Sequence, residues 1–280
     1  NAEVPQTPVD RHAARRRAAT SLLATELVGD VARTLGEAGI SVMPVKGALL
    51  QHWLYGDPAE RPLTDVDLLV RPDDLEIAVE HLEAAGYRRT RHRTVGGMVM
   101  ETPFGLMLDL HSQLFDRARY RMPTGDLFAR SSEDQVLFGA SVRLPSPLDV
   151  YAHLIGKFGS DHLNAGSTAR LDEIARMAAR LYASPEMAAR HLRHCGMRRV
   201  SRYVLPLVYE ATGDTFAPQV HDRLPPDPIG QGIVAVAHPA LARASPDSRT
   251  GALVAHLLNE SLPRGLHSGV RALFQRTRQG

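Results

Sequence analysis

The chain has 280 residues and a mass of 30.7 kDa, enough to bury a full core in one or two domains. Hydrophobic residues at 44% and charged residues at 23% are the balance of a soluble globular protein, and a net charge of +2 is too mild to mark a nucleic-acid binder by itself. The single cysteine, Cys195, excludes an intrachain disulfide and a thiolate zinc cluster and fits a reducing cytoplasm, so a cytoplasmic protein is expected.

The first segment, residues 1–37, reads as a helix over 9–37 with Leu22, Leu23, Leu27, Val31 and Leu35 at helical spacing. Its arginine-rich start leads into a pattern that carries acids, not a secretory apolar core. The chain lacks an initiating Met, so Asn1-Ala2 is expected to be an expression remnant. No apolar run reaches the ~18 residues of a membrane span. Residues 232–244 come nearest and are broken by His238 and Pro239.

Residues 38–145 read as an α/β core: strand 40–45, helix 47–55, strand 65–70, helix 72–85, a hairpin over 95–111 and strand 136–144. Asp73 and Asp74 follow Pro72 and suit a helix N-terminus, and Gly86 suits its end. Pro103 and Gly105 mark the hairpin turn. From residue 146 to 280 the pattern is helical, interrupted by Pro-rich breaks at 224–228 and 245–247. The expected fold class is therefore α+β, a mixed sheet flanked by helices and followed by a mostly helical C-terminal domain.

The run Arg61-Pro-Leu-Thr-Asp-Val-Asp-Leu-Leu-Val70 carries the most chemistry. Strand side chains alternate faces, so Asp65, Asp67 and Leu69 share one side and Val66, Leu68 and Val70 the other. Two carboxylates on one face repel and desolvate badly unless a cation lies between them. Hard divalent ions such as Mg²⁺ take such oxygen ligands together with substrate phosphates. The competing reading is a surface turn, where Asp-x-Asp is common. On the second hairpin strand Met107, Asp109 and His111 share a face. If that strand lies beside the first, three carboxylates converge as in a two-metal phosphoryl-transfer site; otherwise Asp109 is a solvent-facing or ion-paired position. His111 could orient a carboxylate or an acceptor, and a hydrogen bond to a neighbouring carboxylate is the first expectation.

Upstream, strand, Lys46-Gly47 and helix start would offer backbone N–H groups to phosphate oxygens, with Gly47 permitting close approach. The spaced glycines of a Walker A loop are missing. Only two of the 33 basic residues are Lys, Lys46 and Lys157, each beside a glycine. Either a compact ammonium is preferred there or both are chance survivors of an Arg-rich background. His153 and Lys157 lie four residues apart on one helix face, pointing either at a cleft, with Tyr151 and Leu154 packing, or at solvent. The basic tail 264–278 reads as a solvated terminal helix or as a contact for RNA or an acidic substrate.

In this order, Val45-Lys46-Gly47-Ala48, Leu54-Tyr55-Gly56-Asp57-Pro58, the Asp65/Asp67 run, Leu82-Glu83-Ala84-Ala85-Gly86-Tyr87, Leu108-Asp109-Leu110-His111 and the 151–159 and Arg170-Leu171 segments resemble the DNA polymerase β-like nucleotidyltransferase superfamily. More closely, residues 38–215 resemble a bacterial nucleotidyltransferase family whose acceptors are largely undefined. The resemblance implies that Asp65, Asp67 and Asp109 bind two Mg²⁺ ions and that Asp109 takes the acceptor proton. Gly47 would pass the triphosphate of an NTP, ATP first, while Lys46 and Lys157 touch phosphates or brace the acids. Arg61 would reach a phosphate or cap a helix, and Thr64 would join the nucleotide contacts. Lys46-Gly47 replaces the superfamily's Gly-Ser or Gly-Gly pair, and the loop 55–63 lengthens the spacing to Asp65.

The expected activity is transfer of NMP from an NTP to a small-molecule or peptide acceptor, with no nucleic-acid or membrane partner. The alternatives are a catalytically silent nucleotide-binding module and an antitoxin-like partner module of the same fold.

Overall fold

The computed structural model describes residues 8–94, 96–116, 119–161, 168–241 and 256–258. The chain divides into two compact units, Asn1–Leu114 with Pro123–Ser146, and Phe115–Met122 with Pro147–Gly280.

The first unit opens with α1 (Pro8–Glu37). Its buried stripe is Ala24, Leu27, Val28, Val31, Ala32 and Leu35, while Leu22 and Leu23 turn to solvent. The apolar part of the inward stripe thus begins at Ala24, two residues after the first leucine of the sequence pattern. Then come β1 (Met43–Val45), α2 (Lys46–Leu54), β2 (Asp65–Leu69), α3 (Leu75–Ala84), β3 (Arg88–Thr94), β4 (Gly97–Glu101) and β5 (Met107–His111). The five strands form one mixed sheet in the order β1-β2-β5-β4-β3. β2 and β5 run parallel at its centre, and the other pairs are antiparallel.

Strand alternation sorts the two faces. Val66 and Leu68 of β2, Leu108 and Leu110 of β5 and Met98 and Met100 of β4 enter one core with α1 and with Ala78, Val79 and Leu82 of α3. Each buried Leu contributes about 1.5–3 kcal/mol, so this face holds the sheet to its helices and leaves the opposite face free for polar groups. Gly86, at φ 95°, ends α3, and Tyr87 N–H reaches back to Leu82 O at 3.0 Å.

Three local features differ from the sequence expectation. Residues 88–94 form an edge strand although Arg-Arg-Thr-Arg-His-Arg-Thr has no apolar alternation, because pairing with β4 suffices at an edge where charge discourages further pairing. The expected strand 136–144 is only β7 (Val142–Leu144), paired with β6 (Ser132–Asp134). Asp134 Oδ1 accepts the N–H groups of Val136 and Leu137 at 3.0 and 2.8 Å and folds the intervening chain into a turn. Before this pair lies a short helix, α4 (Thr124–Arg130).

The second unit is helical: α5 (Pro147–Asp161), α6 (Thr168–Ala179), α7 (Pro185–His194), α8 (Arg198–Thr212), α9 (Phe216–Asp222) and α10 (Pro228–Leu241). Ser184 caps α7 by accepting Met187 N–H, and Gly213 ends α8 in the left-handed region. A buried ion pair joins Arg199 to Asp227, with Nε to Oδ2 at 2.6 Å. Segment 115–122 packs within this unit: Arg121 N–H donates to Cys195 O at 2.8 Å, and Phe115 lies edge-on to Tyr120. The basic tail 264–278 and the break at 245–247 lie outside the described residues.

Candidate active site

The parallel pairing of β2 with β5 sets Asp67 directly opposite Asp109 and Leu69 opposite His111. By alternation Asp65, Asp67, Asp109 and His111 share the sheet face turned away from the α1/α3 core. On the other flank of β2, Val45 of β1 pairs with Asp67, so the next residue, Lys46, opens α2 beside the acids.

The side chains close a tight cluster. His111 Nε2 lies 2.8 Å from Asp67 Oδ1 and 3.1 Å from Asp109 Oδ2. Lys46 Nζ lies 2.5 Å from Asp67 Oδ1 and 3.2 Å from His111 Nε2. Asp67, Asp109 and His111 are all buried. Burial by itself would raise the Asp67 carboxyl. The hydrogen bond from His111 and the charges of Lys46 and His111 outweigh it and hold the group below the usual carboxylate range. For His111 burial favours the neutral ring, yet the bonds to Asp109 and Asp67 prevail and raise it above its ordinary value. Two buried acids thus meet the Lys46 ammonium and the His111 ring on one sheet face.

Lys46 holds its position in a left-handed backbone conformation, φ 49°, which a side-chain-bearing residue rarely adopts. Gly47 follows with its Cα against the loop: a Cβ there would stand 2.2 Å from Leu63 Cδ2 and 2.8 Å from Arg61 Nη1. The close approach that the missing side chain permits is therefore made by Leu63 and the Arg61 guanidinium. Arg61 is buried, and its backbone carbonyl accepts Gln51 Nε2 at 2.6 Å, while Gln51 Oε1 accepts the Ser21 hydroxyl at 3.2 Å. Gln51 thus ties the Arg61 backbone to α1, a contact that sequence reasoning missed. The available signal was an amide one helical turn after Gly47 in an otherwise apolar helix.

Asp65 stands at the rim, where its Oδ1 accepts the Thr64 hydroxyl at 3.0 Å. Among the described residues, the three groups close enough to share one ion are Asp67, Asp109 and His111, whose ligand atoms lie within 4.8 Å of one another. Two buried carboxylates and an imidazole, with the Lys46 ammonium against two of the three, fit a divalent metal. Lys157 lies on α5 in the second unit, half-buried. His153, four residues earlier, is buried edge-on to Phe115 at 5.3 Å and is no part of a solvent-facing stripe. Among the described residues no helix is long and apolar enough to cross a membrane.

A mixed sheet with helices on its apolar face and an Asp-x-Asp strand beside a third acid on the other defines a nucleotidyltransferase-like fold. The chain belongs to a family described as uncharacterised nucleotidyltransferase, whose model matches residues 1–213. Among solved structures, the chain is similar to an antigenic nucleotidyltransferase-like protein from Paracoccidioides brasiliensis. That match has 15% identity and a TM-score of 0.43, and covers 72% of this chain and 91% of that one. No curated protein matches the chain.

Proposed function

We propose that the protein transfers a nucleoside monophosphate from an NTP to the hydroxyl of a small-molecule or peptide acceptor. The observation that carries this reading is the register pairing of Asp67 with Asp109, which gathers both acids with His111 and Lys46 on one sheet face. A bound divalent ion, Mg²⁺ by the family resemblance, would neutralise triphosphate charge and polarise the α-phosphate. Asp67 and Asp109 would hold it, with Asp65 available at the rim for a second ion.

The residues of the chain supply the rest. Lys46 and Arg61, with the N–H groups at the start of α2, form a positive cradle for the β- and γ-phosphates. Thr64 fixes the Asp65 carboxylate. The acceptor oxygen attacks the α-phosphorus, pyrophosphate leaves, and Asp109 accepts the hydroxyl proton. Lys157 is assigned to phosphate contact by resemblance alone. Charge balance at this site favours catalysis by positioning and electrostatics, so loss of one acid should be crippling.

The test is thermal shift with ATP, CTP, GTP and UTP, with and without divalent ion, on wild type and Asp67→Asn. A ligand at a hundredfold excess over its Kd raises stability by about 2.7 kcal/mol. An ion-dependent shift, lost in the variant, is the expected result, with ATP tried first. No shift with any nucleotide would overturn the reading, and the silent nucleotide-binding alternative with it, and favour the antitoxin-like partner module.

A further inference from the structure

The third member of the cluster is an imidazole, and that changes which ion the site prefers. His111 follows Asp109 by two residues on β5, so strand alternation returns it to the same face. Its Nε2 faces both acids, at 2.8 Å from Asp67 Oδ1 and 3.1 Å from Asp109 Oδ2. Around an octahedral ion with bonds of about 2.1 Å, adjacent donor atoms stand about 3 Å apart, so both separations are those of neighbours in one coordination shell. Lys46 Nζ already approaches two of these atoms, at 2.5 and 3.2 Å, a cation placed where positive charge is called for.

We propose that Asp67, Asp109 and His111 together ligate one cation through two carboxylate oxygens and one imidazole nitrogen, and that this site selects Mn²⁺ over Mg²⁺. The proposal rests on the nucleotidyltransferase reading and specifies the metal of that same site. Mg²⁺ keeps oxygen ligands and sheds water reluctantly, so an imidazole is a poor exchange for a water. First-row transition ions bind imidazole well, and among them Mn²⁺ also suits carboxylate and phosphate oxygens. A nucleotide site needs both kinds of ligand at once.

The experiment uses the full chain with Mn²⁺ and Mg²⁺ as probes, with and without a non-hydrolysable NTP. Pulsed electron paramagnetic resonance of bound Mn²⁺ should show ¹⁴N coupling from a ligated imidazole, replaced by ¹⁵N coupling when the protein is made with ¹⁵N-histidine. Competition titration should show wild type favouring Mn²⁺, with His111→Asp, an all-oxygen set, reducing that preference about tenfold or more. Should His111→Asp fail to fold, the wild-type nitrogen coupling decides alone. Bound Mn²⁺ without histidine nitrogen coupling, or a preference unchanged in His111→Asp, would overturn the inference and leave the nucleotidyltransferase reading standing. Absence of any ion binding, with nucleotide or without, would overturn both.

Discussion

Lys46 joins backbone strain to charge at the point where strand becomes helix. A left-handed conformation costs a residue with a Cβ about 1–2 kcal/mol, and here it aims the ammonium at Asp67. Lys46→Gly would relieve the strain and remove the charge. Its melting temperature should stay within a few degrees of wild type while NMP transfer falls about 10²-fold or more, as for loss of one donor to a developing charge. A steady-state assay beside a thermal melt checks this. Gly47 gives a second prediction. Gly47→Ala forces Leu63 and Arg61 aside and should cost about 1–3 kcal/mol by overpacking. Adding Leu63→Ala should recover part of that loss, which urea unfolding of both single variants and the double variant would show as a coupling energy. Asp67 and Asp109 stood out in the sequence because acids in apolar strands need a reason, and the structure sets them opposite one another. The packing of Arg61 against Gly47 and the bonds of Gln51 were not legible, since the partners Ser21 and the Arg61 carbonyl come from other segments of the chain.

At the scale of elements, the site depends on β2 and β5 lying side by side in parallel. Periodicity identified both strands, but no local pattern states which strand pairs with which, or in what register. A shift of one residue would turn Asp109 into the core and Leu108 onto the acid face. The helical unit has its own long-range tie. Arg199 and Asp227 are buried together, with Gly230 N–H also donating to Asp227 at 3.1 Å. Burial pushes the Asp227 carboxyl up, but Arg199, the Gly230 N–H and Arg198 together hold it below its ordinary 3.8. Its folded value lies below the unfolded one, so the stabilisation is full above about pH 4 and is lost as the pH falls through the folded value. Asp227→Asn should cost about 3–5 kcal/mol at pH 7 by leaving the guanidinium without its anion. Urea midpoints at pH 7 and pH 3 should show the difference from wild type narrowing in acid.

At the scale of the whole molecule the chain crosses between its two units more than once. Segment 115–122 belongs to the helical unit although 123–146 returns to the sheet unit. A fragment ending at residue 146 would therefore contain the complete sheet yet strand Phe115, Tyr120 and Met122 without their cover. Tyr120 and Met122 are buried in the full chain, and Phe115 packs edge-on against His153. Such a fragment should bind a hydrophobic dye more strongly than the full chain and precipitate at lower concentration. Dye fluorescence equal to that of the full chain would contradict this assignment.

The sequence by itself determined the strand–glycine–helix start at Val45-Lys46-Gly47, the alternation that keeps Asp65 with Asp67 and Asp109 with His111, and the helical character of the described residues between 147 and 241. These follow from neighbours two to four residues apart, where backbone geometry alone places side chains. Tertiary structure decided that Asp67 faces Asp109, that His111 and Lys46 balance them, and that Gly47 is packed by Leu63 and Arg61. Each depends on groups brought together from segments remote in sequence, and the energy of a buried charge is set by whatever charge the fold places next to it.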